Sequence, residues 1–309
     1  MESLAVSVIG VGHLGQHHAR IYAELPDVEL KAVVDTDKAR GEEIASARGC
    51  AALTDYRDLA DVKAVSVVTP TTSHHEIAKY FLERGIAVLV EKPIALKPDE
   101  ARDLIETAVA SGAVLQVGHI ERFNRAVQDL RAIIKQPRFI EAHRLGPYKP
   151  RVKDVGVVQD LMIHDIDLIL ELVGSPIERV EAVGVNVLSP SEDIANARLH
   201  FANGCIANVT ASRITPEPMR KIRIFQSDAY FSLDYAKQQV EYYHKKGLGI
   251  QHDVLPTEKG EPLRDELIDF VDCVRTGRPP EVPGEAGLRA LELTIAILDD
   301  IAARNPVLR

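Results

Sequence analysis

Cysteine is scarce: the 309-residue chain holds three, Cys50, Cys205 and Cys273, far apart and without a CxxC pair. That spacing excludes a disulfide framework and a sulfur-rich zinc site, and it fits a reducing compartment. Basic charge is in deficit as well, with 37 Lys and Arg against 46 Asp and Glu and a formal net charge of -9. Neutralising nucleic-acid phosphates needs a broad basic surface, so no nucleic-acid partner is expected. Long apolar runs are missing. No stretch approaches the roughly twenty apolar residues of a membrane span. The opening MESLAVSVIG lacks the basic start, length and cleavage site of a signal peptide and reads as a strand. The expectation is a cytoplasmic protein without a membrane partner. No low-complexity tract is present, and 46% apolar with 27% charged residues is an ordinary globular composition.

A chain of this length exceeds what one hydrophobic core usually supports, so two domains are expected. From Leu4 to Val117 short apolar runs alternate with amphipathic stretches, the pattern of consecutive βα units around a parallel sheet. The strands are read as Leu4 to Ile9, Glu29 to Val34, Ala64 to Val68, Ala87 to Val90 and Val114 to Val117. Helices fall at His13 to Ala23, Lys38 to Ala47, Ser73 to Arg84 and Pro98 to Ala110. After a helix from Gln159 to Leu172 the pattern changes to alternating segments without helices between them, which reads as an antiparallel sheet. Those segments are Ile177 to Val187, Ala195 to Phe201, Cys205 to Ser212, Arg220 to Phe225 and Tyr230 to Leu233, and Asn203-Gly204 marks a hairpin. Helices Pro262 to Arg275 and Gly287 to Arg304 close the chain. The fold class expected is α/β, a doubly wound Rossmann domain over 1–118 followed by an α/β domain over 119–309 with an open, mainly antiparallel sheet. A terminal helix is free to pack back across that boundary.

The sequence VIGVGHLG places Gly10, Gly12 and Gly15 directly after the first strand and before a helix. The first glycine permits the tight turn, the second a close approach of pyrophosphate, and the third close helix-to-strand packing. His13 and Leu14 lie in the same loop, and the helix N-terminus faces the phosphates. Asp35 ends the second strand about twenty positions after Gly15, where a carboxylate accepts hydrogen bonds from the adenosine ribose. Asp35 would repel a 2′-phosphate, so NAD is preferred over NADP, with Lys38 and Arg40 near enough to soften the discrimination. A glycine turn with a surface aspartate is the plainer alternative.

Two loops fall at the carboxyl ends of strands, Thr69 to His75 and Glu91 to Pro93. With them, GVGHLGQHHAR, TPTTSHHEIA, VEKPIAL and QDLMIHDIDL occur in an order that resembles the Gfo/Idh/MocA oxidoreductase family over the whole chain. The resemblance implies a Rossmann domain, a C-terminal domain on an open antiparallel sheet, and substrate between them. It implies catalytic roles for Lys92, Asp160 and His164, and nicotinamide-side contacts for Thr69, Pro70, Thr71, His74, Glu91 and Lys92. The chemistry agrees, since oxidising an alcohol needs a base for the hydroxyl proton, suited to His164, and a cation beside the developing alkoxide, suited to Lys92. Asp160, four positions before His164, shares its helical face and can orient the imidazole or bind a substrate hydroxyl. The competing reading is a solvated stripe of Asp160, His164, Asp167 and Glu171. Met162 stands where the family often has glycine. No metal site is expected, because no second imidazole sits at ligand spacing.

GHIERFNRAV and HRLGPYKPRVK carry Arg122, Arg125, Arg144, Lys149, Arg151 and Lys153, basic against an acidic background. Arginine forks match phosphate oxygens, and Phe123 or Tyr148 suits a base or sugar ring. Arg122, Phe123, Asn124, Arg144, Tyr148, Lys149 and Arg151 are therefore the expected substrate contacts; a solvated connecting loop is the alternative. GHIERFN and DLMIHDID resemble nucleotide-sugar members of the family, which implies oxidation of a ring hydroxyl, C3, of a substrate such as UDP-N-acetylglucosamine on the way to lipid A amino sugars. A free sugar or inositol dehydrogenase is the alternative within catalysis, and a non-catalytic sensor of NAD and a sugar the alternative outside it. The resemblance also implies a homodimer or homotetramer joined through the open sheet face, with Ala195 to Ser212 as its apolar strands.

Overall fold

The computed structural model describes residues 3–148, 155–247 and 249–304. Its first elements alternate strand and helix except where β3 leads to β4: β1 (Leu4–Ile9), α1 (Gly15–Glu24), β2 (Val28–Val34), α2 (Lys38–Arg48), β3 (Ala51–Leu53), β4 (Ala64–Val67), α3 (His74–Leu82), β5 (Ala87–Glu91), α4 (Pro98–Ser111) and β6 (Leu115–Gly118). There follow α5 (Arg125–Ile133), β7 (Phe139–Leu145), α6 (Ile163–Val173), β8 (Ile177–Val185), β9 (Ile194–Phe201) and β10 (Ile206–Ser212). The rest are β11 (Met219–Phe225), β12 (Ala229–Asp234), β13 (Gln239–Lys246), β14 (Gly249–Val254), α7 (Pro262–Thr276) and α8 (Gly284–Arg304). Two compact units result, Met1–Ile120 with Glu261–Leu291, and Glu121–Gly260 with Glu292–Arg309.

In the first unit six parallel strands run in the order β3-β2-β1-β4-β5-β6. The order reverses between β1 and β4, which opens a crevice at the carboxyl ends of those strands. The chain returns from its far end to complete this unit. Leu263, Leu267, Phe270 and Val271 of α7 join Val6, Val8, Ile21, Tyr22 and Leu89 in one core cluster. Each such side chain contributes roughly 1.5–3 kcal/mol when fully buried, enough to hold a helix so distant in sequence.

The second unit is built on eight strands in the order β14-β13-β12-β11-β7-β10-β9-β8, antiparallel except for the β7–β10 pair. The expected α/β class with a mainly antiparallel second sheet is borne out. β3, β7, β13, β14 and α5 were not read from the sequence: β3 has three residues, β7 lay inside the basic segment, and β13 and β14 are rich in charge. Period-two alternation sends Ile140, Ala142, Leu199, Ala207, Val209, Ile222 and Ile224 to a fully buried face on which α6 packs.

The opposite face is apolar elsewhere than expected. Along β9 and β10 its positions are Asn196, Arg198, His200, Asn208 and Thr210, with Asn196 donating to Thr210 at 2.9 Å. The apolar part is instead a cross-strand ladder of rings, Phe139, Phe225, Tyr230, Tyr243 and His252, with successive centroids 5.7, 4.6, 5.1 and 4.4 Å apart. Among the described residues no helix is long and apolar enough to cross a membrane.

Candidate active site

At the switch point between β1 and β4 lies a cleft of about 680 Å³ lined by Gly10, Gly12, Asp35, Thr36, Arg40, Tyr56, Arg57, Thr69 and Pro70, among others. Gly10 has φ +84°, and a Cβ there would lie 2.6 Å from Val68 O, so only glycine makes this turn. A Cβ on Gly15 would lie 1.8 Å from Gly10 O, which makes its lack of side chain a packing requirement. Nothing stands within 4 Å of a Cβ on Gly12, leaving its backbone open to a phosphate. Asp35 does more than face the ribose position. Its Oδ2 accepts from Val11 N at 2.9 Å and its Oδ1 from Asp37 N at 2.9 Å, tying the glycine loop to the end of β2. A carboxylate has about four acceptor positions, so two remain for ribose hydroxyls. Arg40 lies 3.7 Å from Asp35. The turn, the open backbone and the acid together fit a dinucleotide. His13 is exposed and Leu14 is 36% exposed in the same loop.

The two further loops are joined by one side chain. His74 is fully buried, with Nε2 2.8 Å from Thr69 O and Nδ1 2.9 Å from Pro93 O, so it straps the Thr69–Thr71 turn to the Lys92–Pro93 step. Burial lowers its pKa, against the two carbonyls that raise it. A neutral ring donates to one carbonyl at a time; gaining a proton satisfies both. Both ring nitrogens of His74, expected as a cofactor contact, face protein carbonyls. Pro70 is exposed and Thr71 half-buried. His75 pairs with Asp103 at 2.6 Å on the surface.

Lys92 is half-buried at the end of β5, and the Lys92–Pro93 peptide is cis. Glu91 turns inward. Its Oε2 accepts from Lys92 N at 3.2 Å, and its Oε1 lies 3.3 Å from His18 Nε2, close enough for an ion pair though off the alignment of a hydrogen bond. A Cβ on Gly118 would sit 2.8 Å from the Glu91 carboxylate, so glycine makes that place. Nearby, Glu266 of α7 is wholly buried with neither carboxylate oxygen hydrogen-bonded among the described residues. Burial, with Glu91 and Asp269 adding like charge, pushes its pKa well above the glutamate range. Glu266 escaped the sequence reading, since nothing near it marks it as buried.

In the second unit the helix read as continuous begins as a π-helical turn, Val158–Met162, before α6. Such turns often occur at functional sites. Asp160 and His164 are half-buried, whereas Val158, Met162, Ile163, Asp165 and Ile166 are buried. Met162 therefore belongs to the core and leaves the half-exposed side to the two polar residues. Glu192 fixes the start of this turn, its backbone oxygen accepting from Val157 N and its Oε1 from Val158 N, each at 3.1 Å. Gly156 has no Cβ to displace that carboxylate, which would lie within 2.2 Å of one.

Two arginines of the basic segment, Arg122 and Arg144, are held in internal ion pairs. Arg122 is buried against Asp167, Nε to Oδ2 at 2.8 Å and Nη2 to Oδ1 at 2.7 Å, and reaches Glu171 at 2.8 Å. Arg144 is buried against Asp165 at 2.8 and 3.2 Å and Glu121 at 2.9 Å. Burial alone would lower the Arg144 pKa, but Asp165 and Glu121 outweigh it and hold the guanidinium charged. Arg122 and Arg144, expected as substrate contacts, make internal ion pairs here, and of the stripe read as solvated Asp167 is buried and paired and Glu171 half-buried and paired. Phe123 is buried, and Asn124 caps α5 by accepting from Ala126 N at 3.2 Å while donating to Tyr235 O. Tyr148 is half-buried, its ring 5.9 Å from the Arg213 guanidinium. Lys149, Arg151 and Lys153 lie outside the described residues.

Comparison with known proteins places this geometry in a family. Residues 4–119 match the oxidoreductase family model with an NAD-binding Rossmann fold, and residues 134–307 match that family's C-terminal alpha/beta domain. The chain belongs to the Gfo/Idh/MocA oxidoreductases, whose cofactor is NAD. It is 39% identical over 305 residues to UDP-N-acetylglucosamine 3-dehydrogenase of Acidithiobacillus ferrooxidans, covering 96% of this chain and 97% of that protein. A solved structure of that enzyme superposes with TM-score 0.94 at 38% identity, covering both chains completely. It is 29% identical to scyllo-inositol 2-dehydrogenase (NAD(+)) of Bacillus subtilis, covering 97% and 95% of the two chains.

Proposed function

We propose that this chain is an NAD-dependent dehydrogenase that oxidises the C3 hydroxyl of a nucleotide sugar such as UDP-N-acetylglucosamine. The observation that carries it is the 39% identity, over nearly the whole of both chains, to an enzyme of that name. Gly12 offers its backbone N–H to the pyrophosphate, Asp35 accepts from the adenosine ribose, and Thr69, Pro70, Thr71, Glu91 and Lys92 border the nicotinamide side. NAD, held by these residues, would supply the acceptor for the hydride leaving the sugar carbon. His164 takes the hydroxyl proton as the C–H bond breaks, and Asp160 orients the imidazole. The Lys92 ammonium stabilises the alkoxide charge that develops on the same oxygen.

The inositol dehydrogenase reading keeps one observation in its favour: burial of Arg122 and Arg144 in ion pairs removes two of the six basic residues that argued for an anionic substrate. NADH formation, followed by absorbance over UDP-sugars, free hexoses and inositol, separates the two. Turnover of a UDP-N-acetylhexosamine, competed by UDP and reduced at least about a hundredfold in Lys92→Ala and His164→Ala, is expected. Turnover of free polyols alone moves the assignment to inositol-type substrates, and confirmed NAD binding without turnover moves it to a sensor.

The enzyme works in the cytoplasm as a homodimer or homotetramer, with the Phe139–Tyr243 ring ladder as the contact face. Apolar rings in a continuous file favour burial against a second copy. Light scattering is expected to give a multiple of the subunit mass; Tyr230→Lys, which sets a charge in the middle of the file, is expected to give the single mass.

A further inference from the structure

We propose that Arg122 and Arg144 are positioning residues that set the rotation of α6 and with it the aim of Asp160 and His164. The inference rests on those two residues belonging to the reaction site. Successive residues of a helix advance about 100° around its axis. Taking His164 as the origin, Asp165 lies about 100° to one side and Asp167 about 60° to the other, with Glu171 near the same side as Asp167. Arg144 holds Asp165 with Nε at 2.8 Å and Nη2 at 3.2 Å. Arg122 holds Asp167 with Nε at 2.8 Å and Nη2 at 2.7 Å. The arginines stand on separate carriers, Arg144 on β7 and Arg122 in the 3-10 turn Ile120–Phe123, so the helix is gripped from two directions.

Apolar packing is non-directional, and an apolar helix face tolerates small rotations. A bidentate fork is directional, and these four charged groups are almost wholly buried, so water cannot replace a lost contact. Turning α6 either way pulls one carboxylate out of its fork. Each arginine also has a second hold, Arg122 on Glu171 at 2.8 Å and Arg144 on Glu121 at 2.9 Å, which limits its own movement. Buried ion pairs are poor stabilisers compared with apolar side chains of similar size, which makes orientation the better account of two of them flanking one helix.

The test compares Arg144→Met/Asp165→Leu and Arg122→Met/Asp167→Leu, each removing both charges of a pair, with Arg144→Lys, which keeps charge and loses the fork. Each is measured for Tm, for kcat and KM with NAD and UDP-N-acetylglucosamine, and for the His164 imidazole NMR signal without substrate, assigned by its loss in His164→Ala. Expected in each is a Tm near that of the parent, kcat lower by about tenfold to a hundredfold with KM changed by less than about threefold, and a displaced or broadened His164 signal. Unchanged kcat with an unmoved His164 signal overturns the proposal. If a double variant does not fold, Arg144→Lys decides it by the same signal. A displaced signal in variants of a parent that turns over no sugar supports the clamp and instead overturns the substrate reading above.

Discussion

Glu266 of the first unit is buried with no hydrogen bond to its carboxylate among the described residues and Glu91 as its charged neighbour, whereas Asp165 and Asp167 of the second unit each meet an arginine fork. Burying a charge is costly, and a protein can answer by neutralising the group or by pairing it. Neutralisation leaves an environment that responds to pH, here close to Glu91 and the Lys92 loop. Pairing leaves directional contacts that hold against pH and salt, here along the helix that carries Asp160 and His164. The first unit thus buries an acid whose charged form burial disfavours, and the second buries acids that face arginines.

The comparison breaks most sharply if one partner of a fork is deleted. Arg144→Met alone leaves Asp165 buried and uncompensated and is expected to cost about 3–5 kcal/mol in urea unfolding, most of it recovered in Arg144→Met/Asp165→Leu. A single variant as stable as the double would mean that the pair is not desolvated in the way described. Next in size is Glu266→Gln. The folded pKa of Glu266 is raised, so above the glutamate range the unfolded chain releases a proton that the folded chain retains, and stability falls as pH rises toward the folded value. Replacing the acid with its neutral amide removes that slope. Tm of Glu266→Gln is expected to exceed that of the parent at mildly alkaline pH and to approach it at mildly acidic pH; the reverse order would show that Glu266 is ionised when folded.

The glycine loop sharpens the contrast between packing and binding, and its Gly12 gives the smallest effect on stability. Gly15→Ala meets Gly10 O and is expected to lower Tm clearly, while Gly12→Ala meets nothing and is expected to stay within about 0.5 kcal/mol of the parent. Gly12→Ala nevertheless places a methyl group at the pyrophosphate position and is expected to weaken NAD binding about tenfold by calorimetry. Equal NAD affinity in the two chains would remove Gly12 from the phosphate site.

The Rossmann half was legible because its strands are apolar runs punctuated by glycine, and because Gly10, Gly12, Gly15 and Asp35 each have a local reason to stand where they do. The second sheet was read only where alternation is clean, as in β9 and β10; β13 and β14 expose too much charge to announce themselves. The fate of Arg122 and Arg144 was not legible, since a basic residue reads the same whether it meets a phosphate or a buried carboxylate. One signal was present: Asp165 and Asp167 interrupt an otherwise apolar helix, and acids in that setting require partners. The π-helical turn beneath Asp160 and the Glu192 contact at its start depend on a chain segment distant in sequence, and neither leaves a local pattern.

The most direct test of the whole account is NADH formation from UDP-N-acetylglucosamine by the parent chain and by His164→Ala, with NAD affinity measured for both. Turnover by the parent, loss of at least about a hundredfold in kcat for His164→Ala, and equal NAD affinity is the predicted result. Undiminished turnover in His164→Ala would contradict the assignment of the proton to that imidazole, and no turnover by an NAD-binding parent would contradict the nucleotide-sugar reading itself.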